Sequence, residues 1–248
     1  MMSYSHAVVV GVPNSLKFAN KKSALDTDAL RKQSEGLIET LREAGVVVSE
    51  YCPENDSSVS SLLLRRILPK CCRTIQECPE TIDGKSVVLE GGDVFFTGKE
   101  IFVGVRKHGT NFEGAKVVAR VFCDHAVVPI HMSDKAQSLR YYVSLVAPGI
   151  LAIGMSKEAQ NILKVLEAET TLRYRIIPVE DDDGVNCILV NNRLIFQQNR
   201  AAVKFTALQP NGLELWTVDV SDLLKAGAPL ARHCLLIREM KSPKDFFS

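Results

Sequence analysis

Two carboxylates flank a glycine pair in Glu90-Gly91-Gly92-Asp93, between an apolar run at Val87 to Leu89 and another at Val94 to Val105. Paired glycines permit a tight backbone, so both acids would project near one end of a strand, placed to hold a cationic ligand or to orient a histidine. A turn carrying two solvated acids is the plainer reading. Arg106-Lys107-His108 follows the second run and could meet a carboxylate, although cationic strand ends are commonly solvated tips. His233-Cys234 is the one adjacent histidine and cysteine, and an imidazole beside a thiol favours the thiolate. Neighbours on a strand point to opposite faces, however, so Cys234 reads first as a buried apolar residue and second as a nucleophile.

Other chemistries lose support. The acidic run Glu180-Asp181-Asp182-Asp183-Gly184 places its glycine too early for an EF-hand loop and lacks that loop's closing glutamate, which leaves a hydrated loop. Seven cysteines (Cys52, Cys71, Cys72, Cys78, Cys123, Cys187 and Cys234) are odd in number and irregular in spacing, the pattern of reduced thiols rather than of a secreted disulfide framework. They and the scattered histidines supply no two short-spaced pairs, so no metal site is expected. Neither GxGxxG nor GxxxxGK followed by Ser or Thr occurs, which removes the motifs for dinucleotide and nucleoside triphosphate cofactors. Asn55-Asp56-Ser57 is a glycosylation acceptor only if the chain is secreted.

Thirty Lys and Arg against 29 Asp and Glu leave a net charge of +1 on 248 residues, without the electrostatic signature of a nucleic-acid or anionic-membrane partner. Residues are 46% hydrophobic and 24% charged, enough for a sizeable core. No apolar run approaches the roughly 18–20 residues of a membrane span, and the start lacks the basic region of a signal peptide. A cytoplasmic protein is expected, with a small molecule or another protein as its partner.

The elements that must position these residues repeat one grammar. His6 to Val12 is a β-branched run, followed by a helical face of Leu30, Leu37, Ile38 and Leu41, a C-cap at Gly45 and a strand at Val46 to Ser49. Phe112 to Cys123 predicts a helix burying Val117, Val118, Val121 and Phe122, leading into a strand at Ala126 to Ile130. Ser156 caps a helix bearing Ala159, Ile162, Leu163 and Leu166, which leads into Tyr174 to Val179. Leu215 to Val218, a helix from Ser221 and a strand from Cys234 to Ile237 close the chain. Hairpins are expected about Thr97-Gly98-Lys99-Glu100 and about Asn191-Asn192, which tolerates positive φ. The repeating unit is therefore ββαβ, and such units bury their apolar faces only by sharing a centre; an open doubly wound sheet is the competing architecture. Between Tyr51 and Lys85 the pattern fails, with a loop at Asp56-Ser57-Ser58 and a short turn at Leu62 to Ile67, so one unit is expected to be incomplete.

The run from Leu89 to Gly104, LEGGDVFFTGKEIFVG, closely resembles the dimethylarginine dimethylaminohydrolase family, as do Ser5 to Val9, Ile150 to Gly154 and Asn186-Cys187-Ile188. The long run is specific, and the resemblance covers most of the chain outside about 51–85. It implies a pentein-type α/β propeller of repeated ββαβ modules, one of them shortened, in a single domain of residues 1–248. It further implies hydrolysis of methylated arginine to citrulline and a methylamine without a cofactor. In that reaction a thiolate attacks the guanidinium carbon, a histidine protonates the departing amine, and a carboxylate orients the histidine while other acids hold the substrate.

Position by position, the resemblance puts the histidine-orienting acid at Glu90, with Gly91, Gly92 and Asp93 completing its motif. The catalytic histidine falls on Ser138 and the nucleophile on Arg232, with Cys234 two residues on as a displaced candidate. The arginine that takes the substrate's carboxylate falls at or beside His108, so Arg106 or Lys107 would have to substitute for it, and the family's acidic strand has no counterpart after Tyr51. The expectation is a family member with impaired catalysis. An active enzyme would need Cys234 to attack with His131 or His233 as the proton carrier. A non-catalytic homologue that binds a small guanidino or amino-acid-like ligand, or a protein, is the alternative, and an altered coding sequence around 51–85 is the third.

Overall fold

Helix caps and turn residues set the boundaries of most elements. In this computed structural model residues 3–12, 26–51, 75–197, 204–206, 208, 212–225 and 230–238 are described. Strand β1 (His6–Val10) precedes α1 (Thr27–Glu43), which Asp26 opens by accepting a hydrogen bond from the Asp28 backbone N–H. Gly45 at φ +84° turns the chain out of α1 into β2 (Val47–Tyr51). The hairpin of β3 (Thr81–Ile82) and β4 (Lys85–Ser86) turns at Asp83-Gly84, both at positive φ. Strands β5 (Val94–Phe96) and β6 (Glu100–Val105) are followed by α2 (Phe112–Val121), whose Asn111 cap accepts from Gly114 N–H, and by β7 (Ala126–His131). One turn of helix, α3 (Leu139–Tyr142), leads into β8 (Val143–Ala147) and β9 (Ile150–Gly154). Ser156 caps α4 (Lys157–Glu169), and β10 (Arg175–Val179) follows. Next come β11 (Cys187–Val190), β12 (Arg193–Phe196), β13 (Glu214–Thr217), α5 (Ser221–Lys225) and β14 (Cys234–Ile237).

Four sheets share one wiring: an antiparallel pair whose second strand lies parallel to a third. They are β5-β6-β7, β8-β9-β10, β11-β12-β13 and β14-β1-β2. In the last, the leading strand comes from the far end of the chain, with His6 opposite Ile237 and Val9 opposite Cys234. This is the expected ββαβ grammar in four separate sheets, and the open doubly wound sheet is excluded. The hairpin of β8 and β9, turning at Gly149 with φ +74°, adds a third such turn to the two expected from sequence.

The sheets pack in series. Phe102 and Ile130 share a core with Val143, Leu151 and Ile153; Val146, Ala152 and Ile177 pack with Cys187, Leu194 and Phe196; Ile188, Val190 and Ile195 pack with Ala7, Val9 and α1. Each large side chain so buried contributes roughly 1.5–3 kcal/mol. The leading strands β5, β8, β11 and β14 all line one cavity of about 240 Å³.

Three expectations change. Val87 to Leu89 runs without strand pairing, held instead by Asn111, whose side chain accepts from Val88 N–H and whose backbone N–H donates to Val88 O, each at 3.1 Å. Of the four α2 residues expected to be buried, Val117 and Val118 are; Val121 and Phe122 are 39% and 48% exposed, because the helix ends there. Of the stretch at about 51–85, residues 52–74, with the turn expected at Leu62 to Ile67, lie outside the described residues, and β3 and β4 form a two-stranded sheet. Among the described residues no helix is long and apolar enough to cross a membrane.

Candidate functional site

The acids sit where β4, β5 and the loop after β6 meet. Glu90 ends the unpaired segment and Gly91–Asp93 make one 3-10 turn, closed by Asp93 N–H donating to Glu90 O at 3.0 Å. Asp93 is fully buried and its carboxylate is saturated. Arg106 Nε donates to its two oxygens at 3.0 and 3.2 Å, Thr110 donates through N–H and Oγ1 at 3.1 and 2.9 Å, and Leu139 N–H donates at 3.2 Å. Glu90, with its side chain 39% exposed against 0% for Asp93, accepts from the other end of Arg106 at 2.5 Å. Thr110 Oγ1 also takes the Glu90 N–H at 2.9 Å. The acid motif is thus fastened to the β6–α2 loop through one guanidinium and one threonine.

Across from it, two distant segments arrive at the glycine pair. A Cβ built on Gly92 would lie 3.0 Å from Ser138 Cβ, 3.1 Å from Ser138 Oγ and 3.6 Å from Arg232 Nε. Ser138 is buried at the N-cap of α3, where its hydroxyl makes no capping bond. Arg232 is exposed and closes a 3-10 turn, Leu230–Arg232, that Asn186 holds by accepting from Ala231 N–H at 3.3 Å. An added Cβ at residue 92 would press on Ser138 and meet Arg232 at ordinary contact distance, so the side chains of residues 138 and 232 both lie against the glycine.

Two residues beyond Arg232, Cys234 lies on β14 and lines the cavity with Cys187, Ser144 and Arg140. Burial pushes both thiols up to about 12, against smaller opposing pulls from a hydrogen bond with Ser144 at Cys187 and from the Arg140 guanidinium at both. Both are therefore neutral near pH 7. Arg140 is itself depressed by burial, an effect that the charge of Arg232 reinforces and the cysteines and Tyr4 oppose. The four described cysteines are free, and no cluster of three or more metal-binding side chains occurs among the described residues.

No family profile matches the chain. Among curated proteins it is similar to DDAH2 of Homo sapiens, 28% identical over 274 aligned positions that cover 94% of each chain, and to DDAH2 of Bos taurus, 27% identical with the same coverage. Along nearly its whole length the chain is similar to the dimethylarginine dimethylaminohydrolase family, and it diverges from it. Solved structures agree in fold. DDAH from Pseudomonas aeruginosa complexed with citrulline superposes with a TM-score of 0.70 at 15% identity, covering 95% of this chain and 100% of that one. The N-terminal domain of ArgZ, a cyanobacterial arginine dihydrolase bound to product, gives 0.69 at 14% identity, covering 95% and 98%.

Ser138 and Arg232, the positions named from the resemblance, lie against Gly92 between Glu90 and Asp93, and Cys234 follows on β14. The cationic trio does not act as a group. Arg106 serves the two acids and the carbonyl of His108, Lys107 pairs with Asp134 at 3.2 Å on the surface, and His108 is exposed. His131 stacks on Phe112 at the end of β7, and the His233 N–H donates to Leu230 O. Sequence reasoning missed Arg140, Thr110 and Asn186. Only Asn111, the neighbour of Thr110, carried a readable signal, as an N-cap residue before a helical run.

Proposed function

We propose that this protein is a single-domain pentein, an α/β propeller whose unit at about 51–85 is shortened, and that it keeps the family's small-ligand site without the family's hydrolysis. The observation that carries this reading is the meeting of Ser138 and Arg232 over Gly92, where the family reaction needs an imidazole and a thiolate. A serine hydroxyl gives up no proton near neutral pH, and a guanidinium stays protonated and is no nucleophile. Cys234 offers no substitute, because a thiol held at about 12 is protonated at working pH. Glu90, which would orient the histidine, is engaged by Arg106. Losing the nucleophile or its acid costs several orders of magnitude in rate even where binding groups persist. A cytoplasmic location with reduced thiols is consistent with the free cysteines.

The test is incubation of purified protein with asymmetric dimethylarginine while citrulline is measured. No release above a Cys234→Ala control is expected. Release that the same substitution abolishes would overturn the reading.

A further inference from the structure

Arg140 differs from Arg106 in what answers its charge. Arg106 meets two carboxylates, whereas Arg140, turned from α3 into the 240 Å³ cavity and largely shielded from water, forms no ion pair or hydrogen bond among the described residues. The other polar groups on the wall are Tyr4, Ser144, Cys187 and Cys234, and no carboxylate is among them. With both thiols neutral, the described wall of the cavity carries one positive charge and no negative one, and the neighbouring Arg232 adds to the field. A desolvated cation without a counter-charge is costly, and an incoming oxyanion relieves that cost. A guanidinium fork matches a carboxylate with two parallel N–H···O bonds.

We infer that this cavity is an anion site, in which Arg140 anchors the carboxylate of a small, amino-acid-sized molecule. Its size points the same way, since it falls below the roughly 300–1,000 Å³ that drug-sized ligands occupy. A ligand bearing only a guanidinium is repelled by Arg140 and Arg232. The assignment holds whether or not hydrolysis is lost, so citrulline release and anion binding fail independently.

Calorimetry on the full chain with succinate, inorganic phosphate and agmatine, a guanidine without a carboxylate, tests it. Succinate should bind and agmatine should not, and Arg140→Gln should weaken succinate by about tenfold or more, with Arg140→Lys retaining part of the affinity. Absence of succinate binding, binding that Arg140→Gln leaves unchanged, or phosphate bound in place of succinate would overturn the assignment. Should Arg140→Gln not fold, alkylation of the wild-type chain by a neutral maleimide decides. Succinate should slow labelling of Cys234 severalfold and leave the exposed Cys123 unaffected; equal rates at Cys234 with and without succinate refute the site.

Discussion

Asp93 follows the glycine pair and Arg232 packs against it, yet they stand in opposite relations to the fold. Asp93 takes five hydrogen bonds from Arg106, Thr110 and Leu139, and so ties the turn before β5 to the β6–α2 loop and to α3. Arg232 is the exposed last residue of a turn whose Leu230 and Ala231 are buried, and the turn's anchor is the neighbouring Ala231. A side chain with structural duties resists replacement however its chemistry fares. One with only a chemical duty can change type with little cost to stability. Under the proposed function, that contrast accounts for an acid motif that stands intact beside the hydroxyl of Ser138 and the guanidinium of Arg232.

Removing Asp93 should break this contrast most forcefully. Asp93→Ala leaves a partly buried guanidinium and two backbone N–H groups without their acceptor, and should cost about 3–5 kcal/mol in chemical denaturation. Glu90→Ala, at the exposed end of the same arginine, should cost about 1 kcal/mol or less. Equal losses would show that Asp93 has no special structural role.

Gly114→Ala comes next. Its new Cβ would lie 2.2 Å from the Val88 carbonyl oxygen, so the strap before the acid motif must shift. Overpacking of this kind should cost roughly 1–3 kcal/mol by denaturation. The opposite side of the site is probed by alkali. The Cys187 and Cys234 thiols are held at about 12 in the folded chain. Free cysteine titrates near 8.5, so above that pH the unfolded chain sheds protons that the folded one retains. Stability should be fully present below about 8.5 and fall by roughly 1 kcal/mol per pH unit for each thiol as the pH climbs towards the folded value. Denaturation curves between neutral and alkaline pH check this, and Cys234→Ala should flatten the slope. The smallest effect is expected at Lys107→Ala, about 0.5 kcal/mol or less, because its pair with Asp134 is solvent-exposed on both sides.

Much of the fold was legible because caps and turns announce themselves locally. Asn191 and Asn192 do adopt positive φ, Ser156 does cap its helix, and Leu30, Leu37, Ile38 and Leu41 do form the buried face of α1. The hairpin of β8 and β9 went unread although Pro148-Gly149 is a turn signal, since its apolar strands carry no alternation. Burial of Val121 and Phe122 was read from spacing that continues past the true end of α2. At the site, the resemblance named Glu90, Asp93, Ser138 and Arg232, of which Ser138 and Arg232 pack against Gly92, whereas Arg140 had no local signature. Its isolation depends on which side chains four separate strands bring to one cavity, a property of assembly rather than of neighbours in sequence.

The union of β14 with β1 joins residues 232 positions apart, with Ser5 N–H donating to Ile237 O at 3.0 Å. During synthesis, then, β1 leaves the ribosome well before β14 and must wait for it before this edge is covered. Until that segment emerges, an apolar ribbon bearing Ala7, Val8 and Val9 stands exposed to wrong pairing.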